Sequence, residues 1–194
     1  ATGEIDTAQL EDQLDFRVEH FNRRVLVREF NRVVAEELAN HIDITLPNGG
    51  KTLVFAASDK HADEVVNHLR TAYRAQGLEI EDALISKITG SVDDPSGLIK
   101  KFKNEDAPRI AVTVDLLTTG VDVPKITNLV FLRRVNSRIL YDQMIGRATR
   151  LCPEIGKETF QIYDAVDLYP HLQAMTEMRP VVQNPRVSFE TLFD

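Results

Sequence analysis

The chain has 194 residues, 43% of them hydrophobic, which is enough to bury one good core or a core with an appendage. Its net charge of −7 excludes a protein that holds nucleic acid by bulk positive charge and leaves room only for a locally basic groove. The lone cysteine, Cys152, excludes an internal disulfide framework and fits a reducing compartment, and no stretch has the apolar length of a membrane span or the layout of a secretory leader.

A soluble, cytoplasmic protein without membrane contact is expected, and the missing initiator Met suggests a processed product or a piece of something longer. The acidic opening ATGEIDTAQLEDQLDF reads as a loose arm. From Glu19 to Ile42, apolar residues at Phe21, Val25, Phe30, Val33, Val34, Leu38 and Ile42 fall close to helical spacing, so an amphipathic helix is predicted, with room for one break. The run Thr52 to Ala57 (TLVFAA) is a continuous apolar strand of the kind buried on both faces. Ser58 then caps a helix to about Gln76, which Gly77 stops.

Strand and helix continue to alternate. Leu84 to Ile88 reads as a strand, Asp94-Pro95 as the start of a helix to about Asn104, and Ile110 to Val114 as the next strand. Asn128 to Leu132 is a further strand, Ser137 caps a helix to about Gly146, and Thr159 to Tyr163 is the last strand. A short helix around Pro170 to Met178 and a proline-punctuated tail close the chain. This alternation predicts an α/β fold with a parallel sheet covered on both faces. The expected division is an N-terminal arm and helix over 1–45, a main lobe over 46–168, and a C-terminal helix and tail over 169–194.

Gly49-Gly50-Lys51-Thr52 looks like the end of a phosphate-binding P-loop, which needs G-x-x-x-x-G-K-[ST] between a strand and a helix so that backbone N–H groups converge on the phosphates. Here the first glycine position is Thr45, and Lys51-Thr52 leads into a strand. The stretch is therefore read as a tight turn into the first core strand, and the chain alone is not expected to be a complete ATPase.

The strongest chemical signal lies in VTVDLLTTGVDVP (Val112 to Pro124) followed by YDQMIGRATR (Tyr141 to Arg150). Gln143, Gly146, Arg147 and Arg150 form Q-x-x-G-R-x-x-R at a predicted helix end, where two guanidinium forks share one face and can engage phosphate oxygens bidentately. Alone, that pattern would read as a surface arginine cluster. It follows a loop at the carboxyl end of a predicted parallel strand, where α/β sheets bind ligands, and that loop carries threonine hydroxyls suited to phosphate.

In this order, with a strand between, the two segments resemble motifs V and VI of superfamily 2 helicases and translocases, and TLVFAAS resembles motif IV. In that superfamily two RecA-like lobes hold ATP in their cleft, and the first lobe supplies the P-loop and the D-E-x-x metal box; neither is in this sequence. The chain resembles the second lobe, a P-loop NTPase fold without its own P-loop. The resemblance implies that Arg150 is the arginine finger, Arg147 its neighbour on the same phosphates, and Gln143 and Gly146 part of that nucleotide-binding stretch. It places Asp122 and Gly120 at the ribose and the lobe interface, and Thr118, Thr119, Ser58 and Thr89 near the nucleic-acid backbone.

The segments EHFNRRVLVREFNRVVAEELANHID, GKTLVFAASDKHADEVVNHL, KITGS and RIAVTVDLLTTGVDVPKITNLVFLRRVNSRILYDQMIGRATRLCPEIGKETFQIYDAVDLY, with the tail NPRVSFETL, narrow this. Together they resemble the second RecA-like lobe of the motor (R) subunit of type I restriction endonucleases. That resemblance implies ATP and Mg²⁺ held mainly by the absent first lobe, duplex DNA as track, and the modification and specificity subunits as partners. It also implies that this piece neither cleaves nor pumps alone. Other readings stay open on the motifs: another superfamily 2 helicase acting on RNA or DNA, a non-catalytic RecA-like interaction module, or a nuclease, for which no metal site is visible.

The cluster Arg133, Arg134 and Arg138 reads equally as a DNA contact or as a subunit or interlobe contact. His20, His41, His61, His68 and His171 show no paired metal-ligand spacing and are expected in surface or helix-packing roles. Asp164 and Asp167 are expected to serve caps and turns, and Asp142, Glu154 and Glu158 to pair with arginines.

Overall fold

The computed structural model describes residues 28–47, 49–114, 122–135 and 137–168. Its elements in chain order are α1 (Arg28–His41), β1 (Lys51–Phe55), α2 (Asp59–Ala75), β2 (Ile85–Lys87), α3 (Pro95–Asn104), β3 (Ile110–Thr113), β4 (Ile126–Phe131), α4 (Arg138–Ile145) and β5 (Gln161–Asp164). The strands form one parallel sheet in the order β2-β3-β1-β4-β5. This is the α/β arrangement expected, and the predicted strands recur within two residues at each end, the central β1 and β3 marked by continuous apolar runs. The predicted helix around Pro170 to Met178 lies outside the described residues.

Alternation along each strand splits the core in two. Val54, Val112 and Val130 face one side, where they meet Ala35, Leu38 and Ile42 of α1 and its end, and Val65, Leu69 and Tyr73 of α2. Leu53, Phe55, Ala111, Leu129 and Phe131 face the other, against Phe102 of α3 and Tyr141 and Met144 of α4. The Phe55 and Phe131 rings stack with centroids 5.2 Å apart. With both faces covered, β1 and β3 are buried along their whole length. The segment carrying α1 thus shares a core with the main lobe, and the Tyr73 hydroxyl donates to the Ile42 carbonyl at 2.8 Å.

Helix starts follow the residues that predicted them. Ser58 accepts from the His61 N–H, Asp94 from the Gly97 N–H with Pro95 in the first turn, and Ser137 from the Leu140 N–H.

Gly49 and Gly50 lead into β1 at Lys51 as expected. A Cβ at Gly50 would collide with the Thr127 side chain, so the glycine allows this turn to lie against the start of β4. The Lys51 ammonium is buried and donates to the carbonyls of Glu105, Asp106 and Pro108 at 2.8, 3.2 and 2.7 Å, above the Phe102 ring. It holds the α3–β3 connection and faces no phosphate cradle.

Candidate functional site

Two groups of candidate residues are placed by different parts of the sheet. The carboxyl ends of β1 and β2 lead into Ser58 and Thr89. Ser58 serves as the N-cap of α2, its side chain accepting from the His61 N–H at 3.1 Å. Thr89 is only 3% exposed, and its hydroxyl donates to Asp59 Oδ1 at 2.5 Å. Ser91 donates to the same oxygen at 2.5 Å, and Lys87 binds Asp59 Oδ2 at 3.0 Å. The Ser91, Thr89 and Lys87 donors together hold the Asp59 carboxyl down at about 2. Asp59 thereby ties the loop after β1 to the loop after β2. Sequence reading missed this carboxylate; its place directly after a capping serine, at the first residue of a helix, was the available signal.

A second tie runs behind that loop. His61 is fully buried; its Nδ1 accepts from the Ala57 N–H at 3.0 Å, so Nε2 carries the proton and donates to Asn31 Oδ1 of α1 at 3.1 Å. Burial pushes the imidazole down to about 4, which keeps it neutral at ordinary pH. This is the helix-packing role expected for histidines, with the added effect of fixing the Ala57-Ser58 backbone. Asp164 ends β5 and accepts from the Val166 N–H at 3.1 Å, and Asp167 lies in the turn that follows, at φ 49°.

The second group surrounds the end of α4. Arg150 Nη1 reaches Asp122 Oδ2 at 2.5 Å, joining the two motif segments across 28 residues of sequence. The Arg150 side chain remains 61% exposed and that of Asp122 38%. Gln143, Gly146 and Arg150 are exposed, and Arg147 is half-buried. Gly120, Thr118 and Thr119 lie outside the described residues.

The loop after Arg150 is closed by its own backbone. Cys152 and Lys157 exchange N–H···O bonds at 3.2 and 3.0 Å around a short 3₁₀ turn, Pro153–Ile155, and Gly156 takes a left-handed φ of 64° that favours glycine. Asp142 pairs with Arg138 at 3.6 Å as expected, whereas Glu154 pairs with Lys125 at 3.4 Å and not with an arginine. Arg134 Nε donates to the Val166 carbonyl at 2.7 Å, holding the exit of β5.

A parallel five-stranded sheet with Arg150 exposed beside the Asp122 carboxylate, at the end of the helix that covers one face, is the frame of an α/β domain with its candidate residues gathered at one edge. The helicase conserved C-terminal domain family matches residues 29–152, and the chain belongs to that family. Over 98% of its length it is 50% identical to the type I restriction enzyme EcoKI endonuclease subunit of Escherichia coli K12, of which it spans 16%. A solved structure described as an HsdR-subunit fragment of a type I restriction enzyme from Vibrio vulnificus YJ016 is 28% identical, with a TM-score of 0.65 over 75% of this chain and 28% of that one. The C-terminal domain of the DEAD-box protein Dbp5 shares the fold alone, at 19% identity and a TM-score of 0.52 over 78% of this chain and 81% of that one.

Proposed function

We propose that this chain is the second motor lobe of the R subunit of a type I restriction enzyme, an ATP-dependent translocase on duplex DNA that works with modification and specificity subunits. The observation that carries the reading is the exposed Asp122–Arg150 pair, which brings the two helicase-like segments together in a chain half identical to a restriction-enzyme subunit.

The residues present fit one side of an ATP site. Arg147 and Arg150 would meet the phosphates, Asp122 the ribose, with Gln143 and Gly146 beside them and Gly120 in the preceding segment. The phosphate cradle would come from a first lobe, since Lys51 is spent on three carbonyls. Bound ATP would supply the phosphoanhydride whose hydrolysis drives movement. Mg²⁺ would be held mainly by that first lobe in this reading.

In the resting lobe the Arg150 guanidinium is neutralised by Asp122. On closure of the cleft it would exchange this exposed ion pair, worth about 1 kcal/mol or less, for phosphate oxygens. Planar forks match those oxygens bidentately, and an arginine finger contributes roughly 10³ to 10⁵ in rate. Ser58, Thr89, Thr118 and Thr119 would lie along the DNA backbone, where contacts to phosphate are indifferent to sequence. For Thr89 that role falls to its backbone or to a rearranged hydroxyl, because the hydroxyl is bonded to Asp59.

The test is ATP hydrolysis by the full parent with its partner subunits, with and without duplex DNA carrying its target site, in wild type and Arg150→Ala. DNA-dependent turnover that is lost in the variant, with ATP binding retained, is expected. Near-normal turnover in Arg150→Ala removes the finger role, and stimulation by RNA alone removes the duplex-DNA assignment.

A further inference from the structure

Lys157 is a buried cation outside the sequence-predicted site, only 6% exposed. Its Nζ donates to two carbonyls, Pro124 at 2.9 Å and Ala148 at 2.9 Å. Those acceptors are not arbitrary. Pro124 lies two residues after Asp122, and Ala148 lies between Arg147 and Arg150. One ammonium therefore bonds the backbone on both sides of the Asp122–Arg150 pair.

The chain is arranged to bring it there. The Cys152–Lys157 backbone pair and the left-handed turn at Gly156 fold residues 152–157 back, so that the lysine returns under the loop it follows. The Lys125–Glu154 ion pair at 3.4 Å ties the residue after Pro124 to the 152–157 turn from the outside. That contact is exposed at its carboxylate and contributes little, whereas the buried ammonium bonds fix backbone directly. Ala148 itself is fully buried, so a shift of its carbonyl would move the backbone bearing both arginines.

We infer that Lys157 is a positioning residue: it sets the height and register of the Arg147–Arg150 loop against the Asp122 segment by bonding the Ala148 and Pro124 carbonyls. The inference rests on the finger role proposed for Arg150. An arginine finger acts through placement, because a displacement of about 1 Å at a catalytic group can lower turnover about 10²-fold. A residue that anchors the loop from beneath therefore affects turnover without touching nucleotide.

The test uses the full parent assembled with its partner subunits and compares Lys157→Met, Lys157→Arg, Arg150→Lys and the double variant Lys157→Met/Arg150→Lys. Met keeps the length and apolar stem of lysine without its donors; Arg restores charged donors. DNA-stimulated kcat is expected to fall tenfold or more in Lys157→Met, with KM for ATP and the amount of bound nucleotide analogue little changed, and to recover substantially in Lys157→Arg. In the double variant the losses should be far from multiplicative, since a misplaced loop has already lost the geometry that Arg150→Lys removes.

Arg150→Lys serves here because it keeps a positive charge at the position and, on the finger reading, is expected to retain more turnover than Arg150→Ala. Normal kcat in Lys157→Met, with Arg150→Lys impaired, overturns this inference and leaves the finger reading standing. Normal kcat in both Arg150→Lys and Arg150→Ala overturns the finger reading and this inference with it. Multiplicative losses, or a fall in nucleotide-analogue binding in proportion to kcat, assign Lys157 a general folding role and overturn the inference as well.

Discussion

Two buried lysines in this lobe take roles that their neighbours in sequence do not show. Lys51 follows two glycines and precedes a threonine, yet its ammonium is enclosed by three carbonyls at the α3–β3 connection. Burial, with Arg109 close by, pushes it down to about 8. A Lys51→Met variant would leave three carbonyls short of a donor and lose a cation–ring contact with Phe102, so a loss of roughly 2 kcal/mol is expected. If Lys51 bound phosphate, the variant would instead lose ATP affinity. Denaturant unfolding and ATP titration of Lys51→Met in the parent distinguish these: lower stability with KM for ATP within about twofold is expected, and a large rise in KM with unchanged stability would restore the P-loop reading. Lys157, in the ordinary-looking stretch EIGKE, is the lysine with a bearing on the site. Nothing in its local sequence marks it, because its acceptors lie 9 and 33 residues away and are brought to it by a loop closure.

At the scale of elements, α1 is coupled to the loop after β1 through one imidazole. His61 holds the Ala57 N–H with one nitrogen and Asn31 with the other, so helix α1, the start of α2 and the capping Ser58 form one unit. The ring has a folded-state value of about 4 against an ordinary 6.5, so the unfolded chain takes up the proton first. Stability from this group is full above about 6.5 and falls as pH drops towards 4, by on the order of 3 kcal/mol across that window. His61→Gln retains a donor and an acceptor but cannot titrate. The stability gap between wild type and His61→Gln should therefore narrow as urea unfolding is repeated from pH 7 down to 4.5; a gap constant with pH would mean that His61 is not held neutral. Most of this scale was legible beforehand. Continuous apolar runs marked buried strands, and Ser58, Asp94 and Ser137 marked helix starts, because both signals are local. Partnerships such as His61 with Asn31, or Thr89 with Asp59, span about thirty residues and depend on which strands become neighbours. No local pattern encodes them.

At the scale of the whole molecule, charge limits how this lobe could meet DNA in the role proposed for it. The chain carries a net −7, and the candidates for backbone contact are Ser58, Thr89, Thr118 and Thr119, hydroxyl-bearing residues and not cations. Of the basic cluster, Arg134 is held on the Val166 carbonyl and Arg138 is paired with Asp142, while Asp59 adds negative charge directly beside Thr89. Hydroxyl and backbone N–H contacts fix register on phosphates without displacing condensed counterions, whereas each neutralising lysine or arginine steepens the dependence of log K on log[salt] by about 0.9. The 194-residue chain should therefore bind duplex DNA with a log–log salt slope no steeper than about −2. Fluorescence anisotropy of a labelled duplex between 50 and 200 mM salt measures it. A slope near −6 would require about seven phosphate neutralisations, more than the Arg133, Arg134 and Arg138 cluster supplies, and would overturn a grip made of hydroxyls and backbone donors. A shallow slope would, on the proposed motor reading, leave the electrostatic hold on DNA to other parts of the parent, with this lobe registering its position along the duplex.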